Sequence, residues 1–187
     1  MVATKNGKAI RFNENGVRAM GRTARGVRAI KLAEDDEVIG MIVAKDGDKV
    51  LTVTETGFGR ISELSDYRVQ SRGGKGLINY KTAKYGKVAA VISPDEDDDL
   101  IMISSSGIII RIHLGELNVY RRPGKGVKVM RIDEGVKLLT VVATPHDENE
   151  ITDHPDEPDA DAEEGLDEAE LAAEQTADEP IEDEAEE

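Results

Sequence analysis

Short apolar segments recur through the first 145 residues at a spacing of 50 residues, and polar turns separate them. Each segment holds four to six residues rich in Val, Ile, Leu and Ala, a length and composition typical of strands. One set occupies residues 38–43, 88–92 and 138–142, and another occupies residues 1–4, 50–54 and 100–104. The pattern contains no long amphipathic helix. It therefore predicts short strands in a repeated order.

Glycines keep the same spacing as the strands. Gly7, Gly57 and Gly107 each stand between two apolar segments, and Asn6-Gly7 is a strong hairpin signal. Further strands are expected at residues 27–32, 76–81 and 127–132. About four short strands per 50 residues is the content of one propeller blade. We predict an all-β array of about three four-stranded blades, with repeats at residues 1–49, 50–99 and 100–145. Since residues 1–4 begin part-way into a strand, we expect a fragment of a longer array.

The charge divides the chain into two regions. Residues 1–145 contain 24 basic and 18 acidic residues, a net charge of +6, whereas residues 146–187 contain 21 acidic residues and no Lys or Arg. The second region has few large apolar residues, so we predict a disordered acidic tail at residues 146–187. Such an asymmetry of charge often accompanies nucleic-acid binding.

Basic residues recur beside a second set of glycines, in the turns at residues 22–26, 72–76 and 122–126. Cations at the same place in successive blades form a stripe, which suits the phosphates of duplex DNA. Aromatic residues make up only 3% of the chain, too few for the stacking platforms of single-strand binders. The predicted DNA-binding residues are Arg18, Arg22, Arg25, Arg28, Lys31, Arg68, Gln70, Arg72, Gly73, Gly74, Lys75, Gly76, Lys81, Arg121, Arg122, Lys125, Lys128 and Arg131.

The sequence offers little for catalysis or for metal binding. There is no cysteine, and none of His113, His146 and His154 recurs at the repeat spacing. The acidic run at residues 95–99 lacks the spaced ligands of a calcium loop and is interpreted as a solvated turn. We therefore predict no catalytic residue, no metal ligand and no cofactor. No apolar run is long enough to cross a bilayer, so no membrane association is expected.

The run Gln70-Ser71-Arg72-Gly73-Gly74-Lys75-Gly76 resembles the glutamine-arginine-arginine-glycine-glycine-lysine-glycine box of the DNA gyrase A subunit. The sequence from Gly7 to Arg28 is also similar to blades of that subunit's C-terminal domain. Ser71 stands where the family has arginine, so this is a degenerate copy of a box that normally lies in the first blade. The resemblance implies a β-pinwheel, a propeller-like disc with swapped outer strands that wraps duplex DNA around a basic rim, here represented by the last three of about six blades.

The same resemblance implies a non-catalytic part of an ATP-dependent type II topoisomerase, an isomerase that passes strands and introduces negative supercoils. The catalytic tyrosine, ATPase site and metal site of that family fall outside this chain. Expected partners are double-stranded DNA and the other parts of gyrase, namely the remainder of its A subunit plus its B subunit. The expected location is the bacterial cytoplasm, at the nucleoid.

Two alternatives remain open from the sequence. The first is a topoisomerase IV subunit, whose blades carry eroded boxes. The second is a propeller that only binds proteins, although Trp is absent and a Gly-Gly doublet occurs once, at Gly73-Gly74. The acidic tail is expected to compete with DNA for the basic rim, or else to act only as a solubilising segment.

Overall fold

Eleven strands carry the fold of residues 1–146, which are the residues that the computed structural model describes. All but His146 of the predicted acidic tail lies outside the described residues. The strands are β1 (Val2–Thr4), β2 (Lys8–Ile10), β3 (Val38–Met41), β4 (Lys49–Thr54), β5 (Phe58–Glu63), β6 (Leu77–Ile78), β7 (Val88–Ile92), β8 (Asp98–Ser104), β9 (Ile109–His113), β10 (Val127–Lys128) and β11 (Leu138–Pro145). The all-β prediction is confirmed.

The strands form three antiparallel sheets, one for each repeat. The first sheet has the order β3-β1-β2-β6, and the second has the order β7-β4-β5-β10. The third sheet has the order β11-β8-β9 and contains three strands within the described part of the chain. In each sheet the last strand of the repeat lies at one edge, beside the hairpin that opens the repeat.

The outermost strand of a sheet comes from the following repeat. Leu77 of β6 pairs with Ala9 of β2, and Val127 of β10 pairs with Gly59 of β5. The strands predicted at residues 76–81 and 127–132 are thus present but only two residues long. The strand predicted at residues 27–32 was wrong, because the described structure contains no strand there. The first two sheets are therefore completed by strand exchange.

The hairpin turns behave as their sequences predict. Gly7 connects β1 to β2 with a φ of 78°, and Gly57 and Gly107 occupy the equivalent turns with φ of 85°. Residues other than glycine rarely adopt these left-handed angles. The recurrence of glycine therefore marks the same backbone turn three times.

The innermost strands β3, β7 and β11 contact one another in that order, so the three sheets stand side by side like propeller blades. One apolar cluster includes Val50 and Val88 between the first two sheets. Another includes Leu51 and Leu138 between the second and third sheets. Burial of side chains like these contributes about 1.5–3 kcal/mol each.

Helices are short within residues 1–146. One α-helix spans Thr82–Tyr85, and three 3-10 helices span Glu14–Gly16, Leu64–Asp66 and Leu114–Glu116. No helix in the described residues is long and apolar enough to cross a membrane.

Candidate nucleic-acid interface

Two of the basic glycine turns lead directly into outermost strands. Residues 72–76 precede β6, and residues 122–126 precede β10. At Gly76, where φ is 71°, a Cβ atom would lie 2.6 Å from the carbonyl oxygen of Ala9. Gly126, with a φ of 74°, approaches the carbonyl of Gly59 in the same way. The missing side chain lets each turn lie directly on the sheet of the preceding repeat, at the edge opposite the innermost strand.

Arg72 uses its guanidinium to hold its turn against the preceding repeat. Its Nη1 donates to the carbonyl of Arg28 at 2.6 Å, and its Nε donates to the carbonyl of Gly16 at 3.4 Å. These contacts cross 44 and 56 residues of the chain. Arg72 is nevertheless exposed, so one side chain both anchors the turn and presents a positive charge to solvent.

Arg122 repeats these contacts 50 residues later. Its Nη1 donates to the carbonyl of Ile78, and its Nε donates to the carbonyl of Asp66 at 3.3 Å. Its guanidinium carbon lies 5.6 Å from the centre of the Tyr67 ring, within cation–π range. Unlike Arg72, this residue is half-buried. The recurring arginine is therefore a structural anchor as well as a cation.

The turn at residues 72–76 is also held by backbone hydrogen bonds. The N–H of Gly73 donates to the carbonyl of Ala29 at 2.7 Å, and the N–H of Lys31 donates to the carbonyl of Gly74 at 2.8 Å. Beneath the turn lies a small apolar cluster that contains Val2, Ile10 and Ile30.

The turn at residues 122–126 rests on a buried polar network instead. Arg60, only 1% exposed, donates from Nη1 to the carbonyl of Gly124 at 2.9 Å. Its Nη2 donates to the carbonyl of Asn79 at 2.7 Å, and its Nε donates to the hydroxyl of Ser62 at 2.8 Å. The positive charge is thus distributed over neutral acceptors. A buried cation is tolerated only when its donors are satisfied in this manner.

Tyr80 completes the support of this turn. Its hydroxyl donates to the carbonyl of Lys125, and its ring lies 4.9 Å from the guanidinium carbon of Arg60. Burial raises the pKa of Tyr80 to about 12, although the charge of Arg60 opposes that rise. Burial likewise raises the pKa of Tyr67, whose hydroxyl donates to Asn79 Oδ1 at 2.6 Å.

The turn at residues 22–26 has no comparable support within residues 1–146. All five of its residues are exposed, and Gly26 has no other heavy atom within 4 Å of where its Cβ would be. Its φ of 80° is nevertheless the angle of the two supported turns. The turn at residues 22–26 therefore has the same glycine conformation but does not pack on a sheet of the described residues.

The predicted DNA-binding cations are mostly accessible. Arg122 is half-buried, and the other thirteen are exposed: Arg18, Arg22, Arg25, Arg28, Lys31, Arg68, Arg72, Lys75, Lys81, Arg121, Lys125, Lys128 and Arg131. The Lys and Arg side chains that pair with carboxylates within residues 1–146 are other ones, namely Lys5, Arg11, Lys49, Arg111 and Lys137. The basic turns therefore keep their charge uncompensated by acidic side chains of the described part.

Gln70 and the glycines of the turn lie deeper than the lysines. Gln70, Gly73, Gly74 and Gly76 are half-buried, and the N–H of Gln70 donates to the carbonyl of Arg11 at 2.8 Å. The side-chain Nε2 of Gln70 is enclosed and has no hydrogen-bond partner among the described residues. The structure therefore places the lysines outward and the glutamine inward.

The interpretation of residues 95–99 as a solvated turn was wrong at its end. Asp99 belongs to β8 and is 3% exposed, and both His113 and His146 contact its carboxylate. These residues are separated by 14 to 47 positions in the sequence, so no local motif marks them. In the sequence, the cluster is marked by a difference between repeats, because the equivalent positions of the second repeat hold Lys49, Glu63 and Glu96.

Strand-exchanged sheets, side by side, with basic turns at their outer edge define a propeller-like repeat module. The family model described as the DNA gyrase C-terminal domain, a β-propeller, matches residues 1–45, 48–95 and 98–145. The chain therefore belongs to the DNA gyrase A C-terminal domain family, as the resemblance of residues 70–76 predicted.

Individual relatives agree with this assignment. The DNA gyrase A subunit of Fibrobacter succinogenes is 53% identical over 73 residues, which are 39% of this chain and 8% of that protein. Its counterpart in Salmonella typhimurium is 47% identical over 72 residues, 38% of this chain and 8% of that protein. These matched segments span less than a tenth of the curated relatives.

Solved structures show the same fold. A DNA gyrase A C-terminal domain superposes with a TM-score of 0.69 at 28% identity, covering 76% of this chain and 49% of that one. A topoisomerase IV C-terminal domain superposes with a TM-score of 0.71 at 20% identity, covering 77% and 46%. Residues of this chain thus correspond to about half of each solved domain.

Proposed function

We propose that residues 1–146 form a duplex-DNA-binding module that wraps DNA along the basic turns, as part of a type II topoisomerase of the gyrase kind. The proposal rests chiefly on the thirteen exposed cations that have no carboxylate partner among the described residues. Family membership supports it, since the matching curated proteins are DNA gyrase A subunits.

The spacing of the turns suits a continuous polyanion. The turns at residues 72–76 and 122–126 each precede an outermost strand, so the first two sheets carry the same arrangement at neighbouring positions along the outer edge. Duplex DNA bound there would contact a series of similar sites through its phosphates. Contacts of this kind position the duplex without reading its bases. We therefore propose binding with little sequence preference, in which the cost of bending is met by the repeated backbone contacts.

In the turns at residues 72–76 and 122–126, the lysine and the arginine have different roles. Lys75 and Lys125 are exposed and form no ion pair with a carboxylate of the described residues, and Nζ of Lys125 lies 5.5 Å from the centre of the Phe58 ring. Arg72 and Arg122 are committed to backbone carbonyls of the preceding repeat. In the proposed mechanism the lysines neutralise phosphates, while the arginines hold the glycine backbone where the DNA approaches.

The partners follow from the same family relation. We propose that the module works with the remainder of a gyrase A subunit, together with a gyrase B subunit, at the bacterial nucleoid in the cytoplasm. The wrapped segment would then be the one that the enzyme passes to introduce negative supercoils. In this proposal the chemistry of strand cleavage lies elsewhere in the enzyme.

The salt dependence of DNA binding tests the basic turns. Each phosphate contact contributes about 0.9 to the slope of log affinity against log salt concentration. Replacing both Lys75 and Lys125 with Ala should lower that slope by about 1 to 2 on every duplex sequence. Lys45→Ala is the matched control, because Lys45 is equally exposed but follows the innermost strand β3. An unchanged slope in the double variant, or an equal fall in the control, would refute the proposed interface.

Wrapping needs its own measurement. Ligating a nicked circular duplex in the presence of the protein, and then removing the protein, leaves any wrapped turns as a change in linking number. We expect a shift that grows with protein concentration and disappears in the Lys75→Ala, Lys125→Ala variant. Salt-dependent binding with no shift in linking number would leave DNA binding in place and contradict wrapping.

A further inference from the structure

Three strands of the third sheet bring Asp99, His113 and His146 together at one end. Asp99 of β8 lies opposite His113 of β9 and opposite Thr144 of β11. His146 comes two residues after Thr144. Because side chains alternate between the two faces of a strand, residues two apart lie on the same face. The sheet therefore fixes one carboxylate and two imidazoles on three neighbouring backbones.

The three side chains are already in contact. Nδ1 of His113 lies 3.0 Å from Asp99 Oδ1, and Nδ1 of His146 lies 2.9 Å from both carboxylate oxygens. The two imidazole ring centres are 4.6 Å apart. The side chain of Asp99 is 5% exposed, whereas those of the histidines are 36% and 40% exposed. The carboxylate is thus enclosed, while the cluster remains open to solvent through the imidazoles.

We propose that this cluster binds one transition-metal ion, such as Zn²⁺, Ni²⁺ or Co²⁺, through the Asp99 carboxylate and the imidazoles of His113 and His146. Imidazole nitrogen with carboxylate oxygen is the ligand set that such ions prefer. The possible ligand atoms lie within 4.8 Å of one another. Water would fill the remaining positions on the exposed side.

The spacing of the ligand atoms fits a metal with small adjustments. Two ligands, each about 2.1 Å from a metal, lie about 3.0 Å apart at a right angle and about 3.4 Å apart at the tetrahedral angle. The observed separations of 2.9 and 3.0 Å match the right angle, and a tetrahedral site would need each imidazole nitrogen to move about 0.5 Å from the carboxylate. A metal needs both Nδ1 atoms free of a proton, so binding should weaken as the pH falls.

Arg111 is the neighbouring charge that acts on this site. Its Nε donates to Asp99 Oδ2 at 2.7 Å. A hydrogen bond to one oxygen of a carboxylate is a common way of orienting the other oxygen toward a metal. The positive charge of Arg111 also repels a bound cation, so the affinity should be lower than that of a similar site without an arginine. Hydrogen bonds, first from His146 and then from His113 and Arg111, lower the pKa of Asp99 to about 2.

The second sheet has an ion pair at the equivalent place. Fifty residues before Asp99 and His146 stand Lys49 and Glu96, and Lys49 Nζ lies 2.6 Å from Glu96 Oε1. Fifty residues before His113 stands Glu63. The acid and its basic partner thus change places between the repeats, and of these two clusters only the third sheet's contains imidazoles. The second sheet therefore offers an internal comparison, since its cluster has a permanent positive charge at the centre.

The test is titration of the full chain with Zn²⁺ by calorimetry and with Co²⁺ by visible absorption, in excess Mg²⁺. Mg²⁺ occupies exposed carboxylates and has little affinity for imidazole, so it suppresses binding by the acidic residues 147–187. We expect one ion per chain, a Co²⁺ absorption band and a higher melting temperature. His113→Gln and His146→Gln should each weaken binding by at least about tenfold.

Two control variants separate this site from other ligands. His154→Gln removes the third histidine of the chain, and Glu96→Gln alters the equivalent cluster of the second sheet; neither should change the affinity. Asp99→Asn keeps the shape of the side chain and should weaken binding if the variant melts normally without metal. Absence of binding by the unaltered chain, suppression by Mg²⁺, or unchanged affinity in both the His113 and His146 variants would overturn the proposal.

Discussion

The basic turns at residues 72–76 and 122–126 have the same backbone path but rest on opposite kinds of support. In both, an arginine reaches two carbonyls of the preceding repeat, and a glycine touches that repeat's sheet. Beneath the first of them the packing is apolar, whereas beneath the second it is hydrogen-bonded. At four equivalent positions, an apolar residue of the first repeat is replaced by a polar one in the second: Ile10 by Arg60, Phe12 by Ser62, Ala29 by Asn79, and Ile30 by Tyr80.

The physical reason for the change is found at one position of the turn. Gly73 donates its N–H to Ala29, but Pro123 stands at the equivalent position and has no N–H to donate. In the second sheet, donors from below hold the turn instead, since Arg60 donates to Gly124 and Tyr80 donates to Lys125. The same surface shape is thus obtained either from the backbone of the turn or from buried side chains under it.

Placing a side chain at Gly126 should have the largest effect. Gly126→Ala combines left-handed strain with a collision against the carbonyl of Gly59, and each contributes about 1–3 kcal/mol. We expect the free energy of unfolding to fall by about 3–5 kcal/mol in urea titrations. Gly26→Ala is the control, because Gly26 has a similar φ but no neighbour, and should lose only about 1–2 kcal/mol. Equal losses would mean that the turn is not in contact with the sheet.

The second largest loss of stability is expected when the buried polar residues under the turn at residues 122–126 are replaced with apolar ones. Arg60→Ile leaves the buried carbonyls of Gly124 and Asn79 without their donor, at about 1–3 kcal/mol each. The triple variant Arg60→Ile, Asn79→Ala, Tyr80→Ile introduces three of these four residues of the first repeat and leaves Ser62 in place. Its loss of stability in thermal melts should be smaller than the sum of the three single losses, because Arg60 shares contacts with both Asn79 and Tyr80 that can be lost only once. If the losses simply add, the network does not act as a unit.

Replacing Arg72 with Lys separates anchoring from charge. Lysine keeps the charge but cannot reach two carbonyls with a planar fork, so we expect a loss of about 1 kcal/mol in stability. The salt slope of DNA binding should stay near that of the unaltered chain, in contrast to Lys75→Ala. Unchanged stability in Arg72→Lys would contradict the anchoring role of Arg72.

The smallest expected effect is a change in alkaline stability. Burial holds the pKa of Tyr80 at about 12, above its ordinary value of 10. The folded state therefore keeps this proton, and its contribution to stability is full below pH 10 and is lost as the pH rises to about 12. Tyr80→Phe should make the free energy of unfolding fall less steeply across that window. Tyr67 contributes in the same direction, so the slope should not vanish. A slope as steep as before would contradict this role of Tyr80.

The sequence predicted what is local and periodic. Gly7 and Gly57 mark hairpin turns because left-handed angles favour glycine, and the apolar runs mark strands because each recurs at the same place. The 50-residue spacing does not reveal which copy of a strand pairs with which sheet. The period alone would assign β6 and β10 to their own repeats, whereas the exchange of outer strands was implied only by the resemblance to the β-pinwheel.

The sequence predicted which residues make up the candidate DNA-binding site, but not the different structural roles of its arginines and lysines. The columns that contain Arg72 and Lys75 are equally basic in sequence, yet only the arginine reaches backbone carbonyls 44 and 56 residues away. Asp99 and His146 were missed because they are 47 residues apart and meet only through strand pairing. Alignment of the repeats does show a signal, since Lys49 aligns with Asp99 and Glu96 aligns with His146, so the acid and its basic partner change places.

Strand exchange also sets the order in which the protein can be completed during synthesis. The hairpin of the first sheet ends at Ile10, but its outermost strand, Leu77–Ile78, is translated 67 to 68 residues later. At a ribosomal rate of about 5–20 residues per second, that edge stays unpaired for about 3–14 seconds. Each newly emerging repeat closes the one before it, so the nascent chain carries an open β edge that moves toward its C-terminus.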